Sequence, residues 1–291
     1  MNNVVCITSA GILWGIIAIF ISLLKNLGFN SLQCVAIRVF FSALCLVIYL
    51  SICKLKIEFR DIIYFLGTGI FSIIFFNYCY FEAIEVIGGV AIPALLLYMA
   101  PIFVMIRSFF FFHEKLNKQK ILALIMTIIG LCFITGAFSQ EVNLSGKAIL
   151  LGLGAGFGYA LYSIFSKMII DKYEAVTIIT YTFIVATIGS IPLSGVIYHV
   201  DELLSLQAII AIIGLAIFCT VMPFLLYTTG LKKLEAGKAS ILATIEPIVS
   251  AIVGLIFFQE VFDLTKILGM ICIISAILIL NLNLVKAKSV N

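Results

Sequence analysis

The chain has 291 residues, 64% of them hydrophobic and 11% charged, with a mean hydropathy of +1.27. Soluble domains run near about 45–50% and 25%, so a water-soluble globular protein is excluded. The net charge of +4 is carried by loop lysines rather than by a basic stripe, which argues against a nucleic-acid partner.

Read in order, the hydropathy predicts an all-α, polytopic membrane protein with ten transmembrane helices. The first apolar run continues through Leu24 with no small-residue cleavage site, so it reads as a span, not a leader. The spans are expected at 4–24, 32–53, 62–82, 88–112, 119–137, 146–169, 175–198, 206–230, 237–258 and 264–285. No hydrophilic stretch is long enough for a soluble domain. Eight cysteines, nearly all inside apolar runs and none in a CxxC pair, read as small buried residues. His113 and His199 sit at span ends with no ligand cluster, so no metal site is expected.

Two prolines mark the chain. Pro247 follows Glu246 near the middle of the ninth span, and Pro101 interrupts the fourth. Proline has no amide hydrogen, so the carbonyl of Ala243 loses its helical partner. A carboxylate at bilayer depth costs at least ~2.5 kcal/mol, so Glu246 should face protein, solute or water. A broken helix with an acid at the break suits a midplane binding site. The bland alternative is a tolerated kink beside a buried packing carboxylate.

The two stretches also match in register. Shifting Gly237–Glu260 back by 146 places Pro247 on Pro101, Phe257, Phe258 and Glu260 on Phe111, Phe112 and Glu114, and Lys266 on Lys120. The chain therefore reads as a duplication, residues 1–140 and 141–291, each of five spans. An odd number of spans inverts the second half, giving a 5+5 inverted repeat around a central cavity. Glu246 falls on Ala100, so its charge is unmatched and marks it as a site candidate, whereas the matched Glu114 and Glu260 read as gates or caps. Thirteen loop Lys and Arg lie on one side and three on the other, which predicts cytoplasmic termini.

Other polar and aromatic residues at span depth complete a candidate substrate site: Trp14, Asn77, Tyr78, Tyr98, Tyr159, Tyr162, Ser163, Ser240 and Thr244. Arg38 either snorkels outward or faces the cavity to recognise a carboxylate or offset Glu246. Arg107 is expected to snorkel to the inner headgroups. Glu82 and Glu85 form a vestibule or a solvated turn. Glycines at 152, 154, 156 and 158 are expected to allow close helix packing. No Walker A, HExxH, GxSxG or CxxC pattern is present, so no cofactor and no enzyme activity are expected. Flux would follow a gradient of substrate, proton or another ion.

The run LeuLysLysLeuGluAlaGlyLysAlaSer (231–240), then IleGluProIle (245–248) and PheGlnGlu (258–260), resembles EamA-type ten-helix members of the drug/metabolite transporter superfamily. Pro101, Glu114, Trp14-Gly15 and Arg38 fit the same resemblance, while Arg107 departs from it. The resemblance implies a cavity lined by the first, third, fourth, sixth, eighth and ninth helices. It implies a transporter of amino acids, other small metabolites or drugs, often moving them outward, and with no nucleotide site the expectation is a secondary transporter; the lack of organelle targeting and the compact length point to a bacterial plasma membrane. Two alternatives stand beside it: a broad drug or toxic-cation exporter, and a non-transporting membrane scaffold or sensor. The substrate, a coupling proton and the oligomeric state are not legible.

Overall fold

A computed structural model describes residues 2–53, 57–137, 145–199, 201–261 and 263–288. Lys54, Lys56 and the expected boundary at 140 lie outside the described residues. Within them the chain is helical, and ten helices are long and apolar enough to cross a membrane. They are span 1 (Asn3–Lys25), span 2 (Ser31–Tyr49), span 3 (Phe59–Ile87), span 4 (Ala91–Phe111) and span 5 (Lys118–Thr135). Span 6 (Gly146–Ile169), span 7 (Ala175–Ser194), span 8 (Leu206–Leu231), span 9 (Ala236–Phe258) and span 10 (Leu264–Asn281) follow. Their outer faces carry large apolar side chains such as Leu150, Ile188 and Leu193, each more than two-thirds exposed, which in a bilayer meet acyl chains.

Spans 4 and 9 are broken at their prolines. In span 4 the first helix ends at Leu97, and a new one starts at Ala100 with Pro101 in its first turn. In span 9 the helix ends at Leu242, passes through a 3₁₀ turn at Ala243–Ile245, and restarts at Glu246 with Pro247 in its first turn. Proline is tolerated there because first-turn amides have no intrahelical partner. Glycines close over both breaks. A Cβ on Gly11 of span 1 would lie 2.8 Å from the Ala243 carbonyl oxygen, and one on Gly156 of span 6 would lie 3.0 Å from that of Leu97. The glycines of span 6 thus serve close packing, as expected.

Spans 3 and 8 each contain a π-helical segment, Gly67–Phe75 and Gly214–Val221. Span 3 also continues to Ile87, five residues past its expected end, so Glu82 and Glu85 lie on a helix and not in a turn. Further features recur 146 positions apart. His113 and Gln259 both adopt a left-handed backbone, with φ of 53° and 55°. The Glu114 amide donates to Ser108 at 3.1 Å and the Glu260 amide to Gly254 at 3.0 Å. Asn117 accepts from the Lys120 amide at 2.8 Å, and Asp263 accepts from the Lys266 amide at 3.0 Å, so each caps the next span.

Candidate functional site

Breaking span 9 at Ala243–Ile245 turns Glu246 into a small chamber. The chamber is lined by Tyr98, Pro101 and Val104 of span 4, Tyr159 and Ser163 of span 6, and Ser240, Thr244 and Glu246 of span 9. The Tyr159 hydroxyl donates to Oε2 of Glu246 at 3.2 Å, and the Tyr98 phenol lies beside the same carboxylate. Ser240 and Thr244 donate to the carbonyls of Gly237 and Ile241, so each hydroxyl oxygen keeps lone pairs with which to accept. The space left is about 10 Å³, about enough for one water and no metabolite.

An aromatic and hydroxyl layer backs this chamber. Trp14 packs on Tyr159, Phe224 and Tyr227, with ring centroids 6.3, 5.2 and 5.5 Å away. Ser163 shares a 2.7 Å hydrogen bond with the Tyr227 hydroxyl, and Tyr162 shares one of 2.6 Å with Thr228. These bonds tie span 6 to span 8. Thr228 was not singled out from sequence, because a lone threonine in an apolar run carries no signal of its own.

Three expected site residues do not line the chamber in this conformation. Asn77 is buried and its side-chain amide donates to the Ile73 carbonyl at 2.7 Å, near the end of the π-helical segment, where the Phe76 amide also donates. Tyr78 is half exposed and lines a separate cavity of about 480 Å³ with Lys25, Asn30, Phe81, Glu82 and Glu85. This cavity opens on the face that holds the ends of spans 1 and 3. Arg38 is 8% exposed, and its Nε has no hydrogen-bond partner. It is therefore buried rather than spread over the surface, and the Glu246 carboxylate lies within electrostatic range. Arg107 is exposed, with its guanidinium 3.3 Å from the centroid of the Phe111 ring.

The opposite face is closed by charge. Oε1 and Oε2 of Glu114 accept from the amides of Ala236 and Gly237 at 2.6 and 3.2 Å, where span 9 begins. Lys120 is buried, lies 2.8 Å from Glu235 and 3.8 Å from Glu114, and donates to the Lys115 carbonyl. Lys167 donates to the carbonyls of Leu231 and Leu234, both at 2.9 Å. Nearby, Tyr173 donates to Asp61 at 2.6 Å, and Lys172 pairs with Glu58 and Asp61.

The sequence model of the EamA-like transporter family matches residues 2–136 and 146–282. The chain belongs to this family, within the drug/metabolite transporter superfamily, and is a multi-pass membrane transporter rather than an enzyme. It is 29% identical over 273 residues to an uncharacterized transporter of Archaeoglobus fulgidus, covering 94% of each chain. It is 26% identical over 291 residues to the uncharacterized transporter YojE of Bacillus subtilis, covering 95% of this chain and 92% of that one. The fold is also similar to that of a protein solved by crystallography, with a TM-score of 0.78 at 16% identity, covering 96% of this chain and 98% of the other.

Proposed function

We propose that the chain is a secondary transporter that carries an amino acid or a related small amphipathic solute outward across the plasma membrane by alternating access. Glu246 carries the reading. It is a carboxylate at a helix break in mid-span, met by a phenol of span 6, in a chamber drawn from both halves of the chain. Glu246 binds a substrate ammonium or holds a coupling proton, and Arg38 recognises a substrate carboxylate. Tyr98, Tyr159 and Trp14 form aromatic walls, and Ser163, Ser240 and Thr244 supply hydrogen bonds.

Residues 1–140 and 141–291 act as inverted repeats in this reading. Support comes from the broken spans, the paired π-helical segments, the paired caps, and the two ranges that the family model matches. The lysine-rich Glu114 face is cytoplasmic, with both termini on it, so the 480 Å³ cavity opens outward. A chamber of 10 Å³ between one open face and one closed face suits a state that has released its solute.

The test is a thermal-shift screen of the purified protein against a metabolite library, followed by flux of the hits in proteoliposomes. Stabilisation by, and flux of, one amino acid or a close analogue is the expected result. Flux of many lipophilic cations would favour a drug exporter instead, and absence of flux for every stabilising solute would overturn the transport reading.

A further inference from the structure

Glu114 and Glu260 are equivalent in sequence but are engaged differently. Glu114 is 8% exposed and holds two amides of span 9, with Lys120, 4% exposed, beside it. Glu260 is 54% exposed and turned back toward Gly254; its carboxylate meets Lys266 at 3.2 Å. The local frame of the two glutamates is the same. Each follows a left-handed residue, each donates its amide six residues back, and each precedes a capped helix whose lysine lies six residues on. What differs is the target. The positions equivalent to Ala236 and Gly237 are Val90 and Ala91, at the start of span 4, and neither amide donates a hydrogen bond among the described residues.

We propose that Glu260 and Lys266 are the second of two reciprocal latches. In the opposite conformation, the Glu260 carboxylate accepts from the Val90 and Ala91 amides, and Lys266 follows it into the closed face. Glu114 then releases Ala236 and Gly237. The inference rests on the inverted-repeat reading above. The conformation seen here is the one with the Glu114 latch shut and the Glu260 latch open, and the 480 Å³ cavity lies on the unlatched face. A charge-assisted bond pair at each end sets which face is closed.

The test uses the full chain in nanodiscs, with spin labels on bio-orthogonal residues so that the native cysteines remain. One pair, Gly89 and Val261, reads the Glu260 face; a Cβ added at Gly89 meets nothing within 4 Å, and Val261 is exposed. The other pair, Lys118 and Lys232, reads the Glu114 face from exposed positions. Glu114→Ala is expected to raise the population with a long 118–232 and a short 89–261 distance, on the order of tenfold. Glu260→Ala should deplete the short 89–261 population by a similar factor, and the double variant should return toward the parent. Glu260 is largely exposed here, so its variant tests the latch without disturbing a buried contact. If the two distances alternate in the parent but Glu260→Ala leaves the short 89–261 population unchanged, the latch is overturned while alternating access stands. If the distances never alternate in parent or variants, both are overturned.

Discussion

The hydroxyl of Tyr159 donates to Oε2 of Glu246 at 3.2 Å, joining span 6 to the break in span 9. This bond holds a carboxylate at a fixed place in an apolar bundle, where an unpartnered one would be costly. It also occupies a lone pair that a substrate ammonium would otherwise use.

Tyr159→Phe removes the donor and keeps the ring that packs on Trp14 and Phe76. Hydrogen bonds to charged groups contribute about 1.5–3 kcal/mol. Tyr98 stays beside the carboxylate, so the variant should retain transport with KM changed about tenfold and kcat changed less. Flux measured over a substrate series checks the split.

Arg38 is buried with Nε unpartnered, a poor arrangement for stability alone. Arg38→Gln should therefore leave the melting temperature equal to or above that of the parent while cutting substrate affinity at least tenfold. A structural arginine would behave in the opposite way, with a fall in melting temperature and unchanged affinity. Thermal unfolding in detergent and flux in proteoliposomes, run on the same preparation, separate the two.

Gly156 lies where span 6 crosses the break in span 4. A Cβ there would sit 2.6 Å from the Leu96 carbonyl oxygen and 3.0 Å from that of Leu97, both backbone atoms that cannot swing away. Gly156→Ala should destabilise by about 1–3 kcal/mol. Gly146→Ala is the matched control, because nothing lies within 4 Å of its added Cβ. Melting temperatures of the two variants make the comparison.

Asp263 caps the final helix by accepting from the Lys266 amide and the Thr265 hydroxyl, and these donors hold its carboxyl below its ordinary 3.8. A carboxylate depressed on folding gives stability that is present above pH 3.8 and is lost as pH falls through the lower folded value. Protection factors for hydrogen exchange at the start of span 10, corrected for the intrinsic pH dependence of exchange, should therefore fall below about pH 4. Asp263→Ala should exchange faster at neutral pH and lose that acid dependence.

Much of this was legible in the sequence because apolar length and proline position act locally. Ten runs gave ten spans, and Pro101 and Pro247 marked the two breaks, where a missing amide favours restarting the helix. Tyr78 was not legible in the same way. Asn77 and Tyr78 are candidates from sequence by span depth alone, and the π-helical segment Gly67–Phe75 before them turns the chain differently from an α-helix, so depth does not fix which way each faces. Asn77 donates to the Ile73 carbonyl, and Tyr78 lines the 480 Å³ cavity. Lys120 reads from sequence as one of the loop charges, but it is buried between Glu114 and Glu235, which only tertiary folding brings together.

The most direct test of a substrate-binding carboxylate at the break is Glu246→Gln, which keeps shape and removes charge. Binding and flux of the identified substrate are measured in proteoliposomes across a pH series, beside the melting temperature. The account predicts an intact fold with binding or flux lost, or with the pH dependence of flux abolished. Parent-like flux at every pH would contradict it.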